Sequence, residues 1–230
     1  MLVEMFGMNI YANSLHDLIN ELDVLNYRVI LSANPEIVQC INKNKIKFDD
    51  DVMFIPDGIG TVYAVRLVKG ISIKKIAGID FLYEILNISK DRDYKIYFLG
   101  ARPYVVERAA KRAVEEFGAK ITGFHHGYFN DDELDKIIAD INNSGADFLF
   151  VGLGCPKQEK FILQNKDRIK AKYLVTVGGS FDVLSGSAKR APKWMIDLGL
   201  EWLYRTFRQP VRIFRLRRIA TFLIRTILNL

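Results

Sequence analysis

The sequence predicts an α/β fold: a Rossmann-like, mainly parallel sheet with helices on both faces, followed by a C-terminal helical, arginine-rich appendage. Three observations predict it. Short apolar, β-branched runs alternate with longer segments of helical period, the pattern of strand–helix units in a parallel sheet. Half of the 230 residues are hydrophobic and 26% are charged, enough to bury a two-sided core. The net charge of +6 is concentrated: residues 201–230 carry seven arginines, no lysine and one acid, Glu201, which accounts for all of it.

The elements follow in order. Ser14 with Asp17 three residues on reads as a capping box opening a helix through Glu21. YRVILS (27–32) is a β-branched strand, and Asn34 then caps a helix with Pro35 in its first position. VMFI (52–55) is the next strand, TVYAVRLV (61–68) a helix, and a second helix follows Gly78-Ile79-Asp80. KIYFLGA (95–101), PYVVERAAKRAVEEFG (103–118) and AKITGF (119–124) form a βαβ unit. DDELDKIIADINNSG (131–145) is a helix ending in glycine, ADFLFVGLG (146–154) a buried strand, PKQEKFI the start of a helix, and KYLVTVGG (172–179) the last clear strand. APKWMIDLGLEWLYRTF (191–207) reads as one helix, Pro210 interrupts, and 211–228 is helical again. The expected division is a catalytic core over 1–199 and an appendage over 200–230.

Composition narrows the class. Two cysteines, Cys40 and Cys155, form no disulfide framework and point to a reducing compartment. The N-terminus, MLVEMFGMNIYANSL, has an early acid and no basic run, unlike a signal peptide. No stretch reaches the ~20 apolar residues of a spanning helix.

The unusual residues collect after strands. Asn34, Asp57, Gly100, Ala101, Arg102, Gly152, Gly154, Gly178, Gly179 and Ser180 all fall where a predicted strand ends, so they are expected to line one crevice at the carboxyl ends of the sheet. Within FIPDGIG (54–60), Pro56 ends the ladder, Gly58 and Gly60 let the chain turn, and Asp57 stands between them. There it is either a turn residue or a base that takes a proton from an attacking hydroxyl. The glycines suit close approach to a phosphate, but Gly152-x-Gly154 is not a dinucleotide fingerprint, because Lys157 stands at its third glycine. That argues against a nicotinamide-dependent oxidoreductase.

No metal is expected. The pairs Asp49/Asp51 and Asp91/Asp93 precede strands, opposite the crevice, and read as solvated loop acids. His125-His126 lacks Cys or His partners at zinc spacing and reads as a turn or a substrate-edge contact. Cys155 reads as a small packed residue. In the tail, Arg205, Arg208, Arg212 and Arg215 share one helical face, and Ile213, Leu216, Ala220, Leu223 and Ile227 form a stripe on another. Such a segment suits an anionic membrane surface or a diphosphate. The absence of lysine and of a groove-reading motif counts against nucleic acid.

Together ANPEIVQ (33–39), FIPDGIG (54–60), AGID (77–80), GLGCPKQE (152–159), VGGSFDVLSG (177–186), RAPKW (190–194) and GLEWLYR (199–205), from about residue 9 to 218, resemble the WecG/TagA/CpsF glycosyltransferases. The resemblance implies an inverting, metal- and cofactor-independent transfer from a UDP-sugar, N-acetylmannosamine above all, to a polyprenyl-diphosphate-linked GlcNAc-type acceptor. The setting it implies is surface-polymer synthesis, peripheral on the inner face of the cell membrane. An exposed tail and core would allow a homo-oligomer when off the membrane. It implies that Asp57 is the general base, Asn34 sets acceptor or base geometry, Gln158 is a pocket glutamine, and Arg205, Arg212 and Arg215 close over the diphosphate. Lys75 stands where many relatives carry arginine and keeps the charge without the fork. UDP-glucose or UDP-ManNAcA as donor, and a non-catalytic membrane-surface module, are the alternatives.

Overall fold

A computed structural model describes residues 1–208 together with 221, 222 and 226. The sheet is ordered β1-β2-β4-β3-β8-β7-β5-β6. Its strands are β1 (Leu2–Met5), β2 (Met8–Tyr11), β3 (Val29–Ala33), β4 (Val52–Pro56), β5 (Lys95–Gly100), β6 (Lys120–His125), β7 (Phe148–Gly152) and β8 (Tyr173–Thr176). All neighbours pair in parallel except β1 with β2. Strands β3, β4, β7 and β8 are buried at every position, as expected for parallel strands covered on both faces.

Alternate residues of each strand feed opposite cores. Ile96 and Phe98 of β5 and Phe148 and Phe150 of β7 point to one face. That face is covered by α1 (Leu15–Glu21), α4 (Gly78–Ser89), α5 (Pro103–Phe117) and α8 (Ser180–Leu184). Tyr97, Leu99, Leu149 and Val151 point to the other, under α2 (Pro35–Asn44), α3 (Ile59–Lys69), α6 (Leu134–Asn143) and α7 (Lys157–Asn165). The capping box at Ser14 is present in both directions, Asp17 N–H to Ser14 Oγ at 3.2 Å and Ser14 N–H to Asp17 Oδ2 at 3.0 Å.

Three features depart from the sequence reading. The first is the β1–β2 hairpin, for which no strand is expected before Ser14. Its turn, Phe6-Gly7, has φ of +54° and +68°, the two left-handed residues a tight hairpin requires. The second is the segment 191–207, which is two helices, α9 (Lys193–Asp197) and α10 (Glu201–Arg208). Gly199 breaks them at φ +72°, and a Cβ there would lie 2.9 Å from Ile59. The third is the segment 131–145, which opens with a 3₁₀ turn, Asp131–Glu133, before α6.

The expected tail stripe falls outside the described residues, apart from its neighbours. Phe222 is buried, with its ring centroid 5.6 Å from that of Phe6, and Thr226 is buried one turn on. Among the described residues no helix is long and apolar enough to cross a membrane.

At the ends of β5 and β7 the backbones nearly touch. A Cβ on Gly100, whose φ is +140°, would lie 2.4 Å from the Gly152 carbonyl oxygen. Gly100→Ala therefore meets both backbone strain and overpacking, each costing about 1–3 kcal/mol. The variant is expected to lose about 2–6 kcal/mol in urea unfolding, with a melting temperature lower by several degrees or more.

Candidate active site

The crevice opens where two parallel strands part. β3 and β8 pair only at Val29↔Leu174 and Ile30↔Val175. Beyond that point side chains take over: Thr176 Oγ1 accepts the Ser32 N–H at 3.1 Å. The direction of chain travel reverses at this same place in the sheet order, the position where open α/β sheets bind ligands. The cavity there holds about 980 Å³, at the upper end of small-molecule sites.

Asn34 and Asp57 meet at one corner of it. Asn34 is the N-cap of α2, and its Oδ1 accepts the Ile37 N–H at 2.9 Å. That bond fixes the amide's orientation, because the oxygen must face the helix. The amide nitrogen is thereby turned to Asp57 and donates to its Oδ2 at 3.3 Å. The Asp57 N–H is itself tied to the carbonyls of Ala33 and Ile55, at 3.0 and 2.9 Å. The two glycines after it have separate reasons. Gly58 has φ +106° and ψ 153°, which side chains rarely adopt. A Cβ on Gly60 would lie 2.5 Å from Pro35 Cγ, so α3 comes against the start of α2 only because Gly60 has none.

The other predicted glycines divide into two kinds. Gly100 and Gly152 serve close packing: a Cβ on Gly152 would lie 2.8 Å from the Gly178 carbonyl and from the Phe181 ring. Neither lines the cavity. Gly154 and Gly178, at φ +75° and +51°, face open space and do line it, with Gly179 and Ser180. Their N–H groups are not available to a phosphate, however. Both donate to Gln158 Oε1, each at 3.2 Å. Gln158 is buried, and its Nε2 donates to Glu159 Oε1 at 2.8 Å.

Arg102 lines the cavity as its place after a strand predicts, while Tyr104, Tyr128, Lys189 and Tyr204 have no counterpart in the sequence reading. Tyr104 and Tyr128 stand on the rim with Arg102 between them, and their hydroxyls raise the guanidinium pKa, Tyr104 most. Lys189 and, from α10, Tyr204 complete another side. The segment carrying Lys189 is held by Arg190, whose two terminal nitrogens meet the two Asp80 oxygens at 2.6 and 2.9 Å. The available signal was position: Tyr104 and Tyr128, like Arg102, follow strands.

The remaining candidates lie elsewhere. Lys75 does not line the cavity; its Nζ donates to the Ile196 carbonyl at 3.1 Å, at the end of α9. Arg205 lies in α10, and Arg212 and Arg215 fall outside the described residues. Asp49 and Asp51 are not merely solvated: both hold Lys166 Nζ, at 2.8 and 2.6 Å, and Asp93 holds Lys120 at 2.8 Å. Among the described residues no three His, Cys, Asp or Glu gather as a metal site. His125 and His126 make local turn contacts, with His126 Nδ1 3.3 Å from the Tyr128 N–H. Cys155 lines the cavity, and burial, then Glu159, pushes its thiol pKa up, so it stays a thiol.

The profile of the glycosyl transferase WecG/TagA/CpsF family matches residues 3–230. The chain belongs to this family. It is 36% identical over 198 residues to the N-acetylglucosaminyldiphosphoundecaprenol N-acetyl-beta-D-mannosaminyltransferase of Bacillus subtilis (strain 168), covering 84% of this chain and 77% of that protein. It is 33% identical over 201 residues to the protein of the same name from Staphylococcus aureus (strain MW2), covering 86% and 79%. The Asn34–Asp57 corner gives the crevice of this glycosyltransferase a positioned acid.

The double use of Asn34 is testable by its acid isostere. Asn34→Asp keeps a capping oxygen but sets a second carboxylate against Asp57, which raises the pair's pKa in the folded state. A raised carboxylate stabilises the fold while protonated and loses that advantage as pH rises. The variant is therefore expected to be less stable than the parent at neutral pH, with the deficit closing toward pH 4–5, as thermal melts across pH would record.

Proposed function

We propose that this chain transfers N-acetylmannosamine from its UDP-linked donor to a polyprenyl-diphosphate-linked N-acetylglucosamine, with inversion and without a metal ion, in the synthesis of a cell-surface polymer. The observation that carries the reading is the Asn34–Asp57 pair at 3.3 Å, at the switch-point crevice of a chain about one-third identical to enzymes named for this transfer.

The reaction is one in-line displacement. Asp57 accepts the proton of the acceptor hydroxyl, held in place by the Asn34 amide. The hydroxyl oxygen forms a bond to the anomeric carbon. The bond from that carbon to the β-phosphate oxygen breaks, and its electron pair leaves on UDP. Proton removal and bond formation on one face, with departure from the other, invert the centre. The charge that develops on UDP needs cations. Lys189 lines the crevice and Arg102 stands at its rim, and Arg205, Arg212 and Arg215 of the appendage are the further candidates. The nucleoside is placed toward Tyr104 and Tyr128, residues 51% and 69% exposed whose rings give it a surface to stack on. Gln158 acts behind the reacting atoms, holding the two loops that line the crevice. Lys75 tethers α9 rather than touching substrate.

The acceptor is carried by lipid, so the mouth of the crevice must meet a bilayer, proposed here as the inner face of the cell membrane. Beside Tyr204, the α9–α10 segment exposes Trp194 by 60%, Leu198 by 65% and Trp202 by 42%. Tryptophan favours the membrane interface, and anionic lipid favours the arginines that follow. Replacing Trp194, Leu198 and Trp202 together with serine is expected to release the protein from phosphatidylglycerol vesicles in co-sedimentation, while UDP binding persists.

The decisive assay is UDP release in EDTA. UDP-ManNAc, UDP-ManNAcA and UDP-glucose are offered separately with a lipid-diphosphate-GlcNAc acceptor. Release is expected with UDP-ManNAc and is expected to fall by about 10²–10⁴-fold in Asp57→Asn, with donor affinity little changed. An unchanged rate in that variant removes the base role; dependence on added Mn²⁺ removes the metal-independent reading.

A further inference from the structure

Behind the floor of the crevice lies an acid that the transfer does not use. Glu159 is fully buried. Its Oε1 accepts from Gln158 Nε2 at 2.8 Å, while its Oε2 is buried with no hydrogen-bond partner. No salt bridge among the described residues reaches it. A structural acid at such a site would be replaced at little loss by leucine, since an unpaired buried carboxyl only costs stability. What distinguishes this one is what its partner holds.

Gln158 has a single oxygen, and two N–H groups converge on it: Gly154 after β7 and Gly178 after β8. Both loops line the crevice. The arrangement works only if the amide keeps its oxygen inward. A flipped amide would set its NH₂ against two N–H donors and free both loops. The group that opposes the flip is Glu159, which takes the amide's nitrogen end from the other side.

We propose that Glu159 is a positioning residue: through the amide of Gln158 it fixes the separation of the loops after β7 and β8, and so the shape of the crevice that receives the donor's nucleoside diphosphate. This rests on the transferase reading only for the identity of that ligand.

The neutral acid is the form that performs this role. An ionised carboxylate here would be buried without a cation, and burial accordingly raises the Glu159 pKa. The titratable groups at this corner are Cys155, one turn earlier, and behind it Cys40 of α2; burial holds the Cys155 thiol protonated. A raised carboxyl ionises only at a higher pH than a solvated one. At that point the corner carries an unpaired charge and the loops loosen.

The test compares Glu159→Gln with Glu159→Leu in the full chain, reading UDP affinity by calorimetry and thermal melting from pH 6 to 10. Glutamine retains a neutral acceptor for Gln158 and is the conservative rescue: UDP affinity is expected within about threefold of the parent. Leucine leaves the Gln158 nitrogen unpaired, and UDP affinity is expected to fall by about tenfold or more. As pH rises across this range the parent is expected to lose UDP affinity and melting temperature while Glu159→Gln holds both, a difference that a merely space-filling residue would not produce. The proposal is overturned if leucine binds UDP like the parent, if glutamine is as damaging as leucine, or if the parent and Glu159→Gln share one pH profile. Should Glu159→Leu not fold, the parent and Glu159→Gln profiles decide alone. If the parent itself binds no UDP, the donor reading fails, and the melting profiles still decide the role of Glu159.

Discussion

The crevice exists because three backbones touch on one side of it and two strands part on the other. At the carboxyl ends of β5, β7 and β8, Gly100 lies on Gly152 and Gly152 on Gly178, each closer than a side chain would allow. Hydrogen bonds continue past the strands there, from Ala101 N–H to the Gly152 carbonyl at 3.1 Å and from Val177 N–H to the Val151 carbonyl at 2.9 Å. Between β3 and β8 the ladder stops after two residue pairs. The sheet is thus pinned along one edge of the opening and released along the other. Helices on both faces then hold the gap open, because their cores take alternate residues of the same strands and leave no room for the strands to close.

The released edge carries the polar chemistry. Asn34 ends β3 and Asp57 ends β4, and these strands pair in register through Ala33↔Pro56. Adjacent parallel strands of matched length deliver their last residues side by side, so two residues 23 apart in sequence meet without any special loop. A neutral amide beside the carboxylate has a chemical consequence. The Asn34 amide orients the acid with a neutral donor, which suits its proposed role of taking a proton from a sugar hydroxyl.

Much of this was legible in the sequence, for identifiable reasons. Fully buried parallel strands read as unbroken apolar runs, and those over β3, β4, β5, β7 and β8 were placed within two residues at most ends. Pro56 and the glycines marked the strand ends, so Asn34, Asp57, Gly154, Gly178, Gly179 and Ser180 were expected in one crevice and are found lining it. The β1–β2 hairpin was not legible because its strands have four residues each and its turn uses Phe6 rather than asparagine or aspartate before Gly7. The break at Gly199 was hidden because helical periodicity continues through it, while the contact with Ile59 that requires glycine is tertiary. The same limit explains Gly100 and Gly152: a glycine that admits a phosphate and one that admits another backbone look alike in a sequence. So do a lysine that grips substrate and Lys75, which grips the end of a helix.

The appendage meets the core at two described places with different physics. Tyr204 lines the crevice at the carboxyl ends of the strands. Phe222 is buried against Phe6 at the hairpin turn, which the parallel pairing of β2 with β4 places at the amino ends. The second contact is apolar: burying a phenylalanine is worth about 1.5–3 kcal/mol, with about 0.5–1.5 kcal/mol more for an edge-on aromatic pair. Salt does little to it. The arginines between these points act through charge, which is screened over about 8 Å at physiological ionic strength. Attachment of the segment to its own core and its proposed grip on an anion are therefore separable: raising salt weakens the second while the aromatic contact at Phe222 persists.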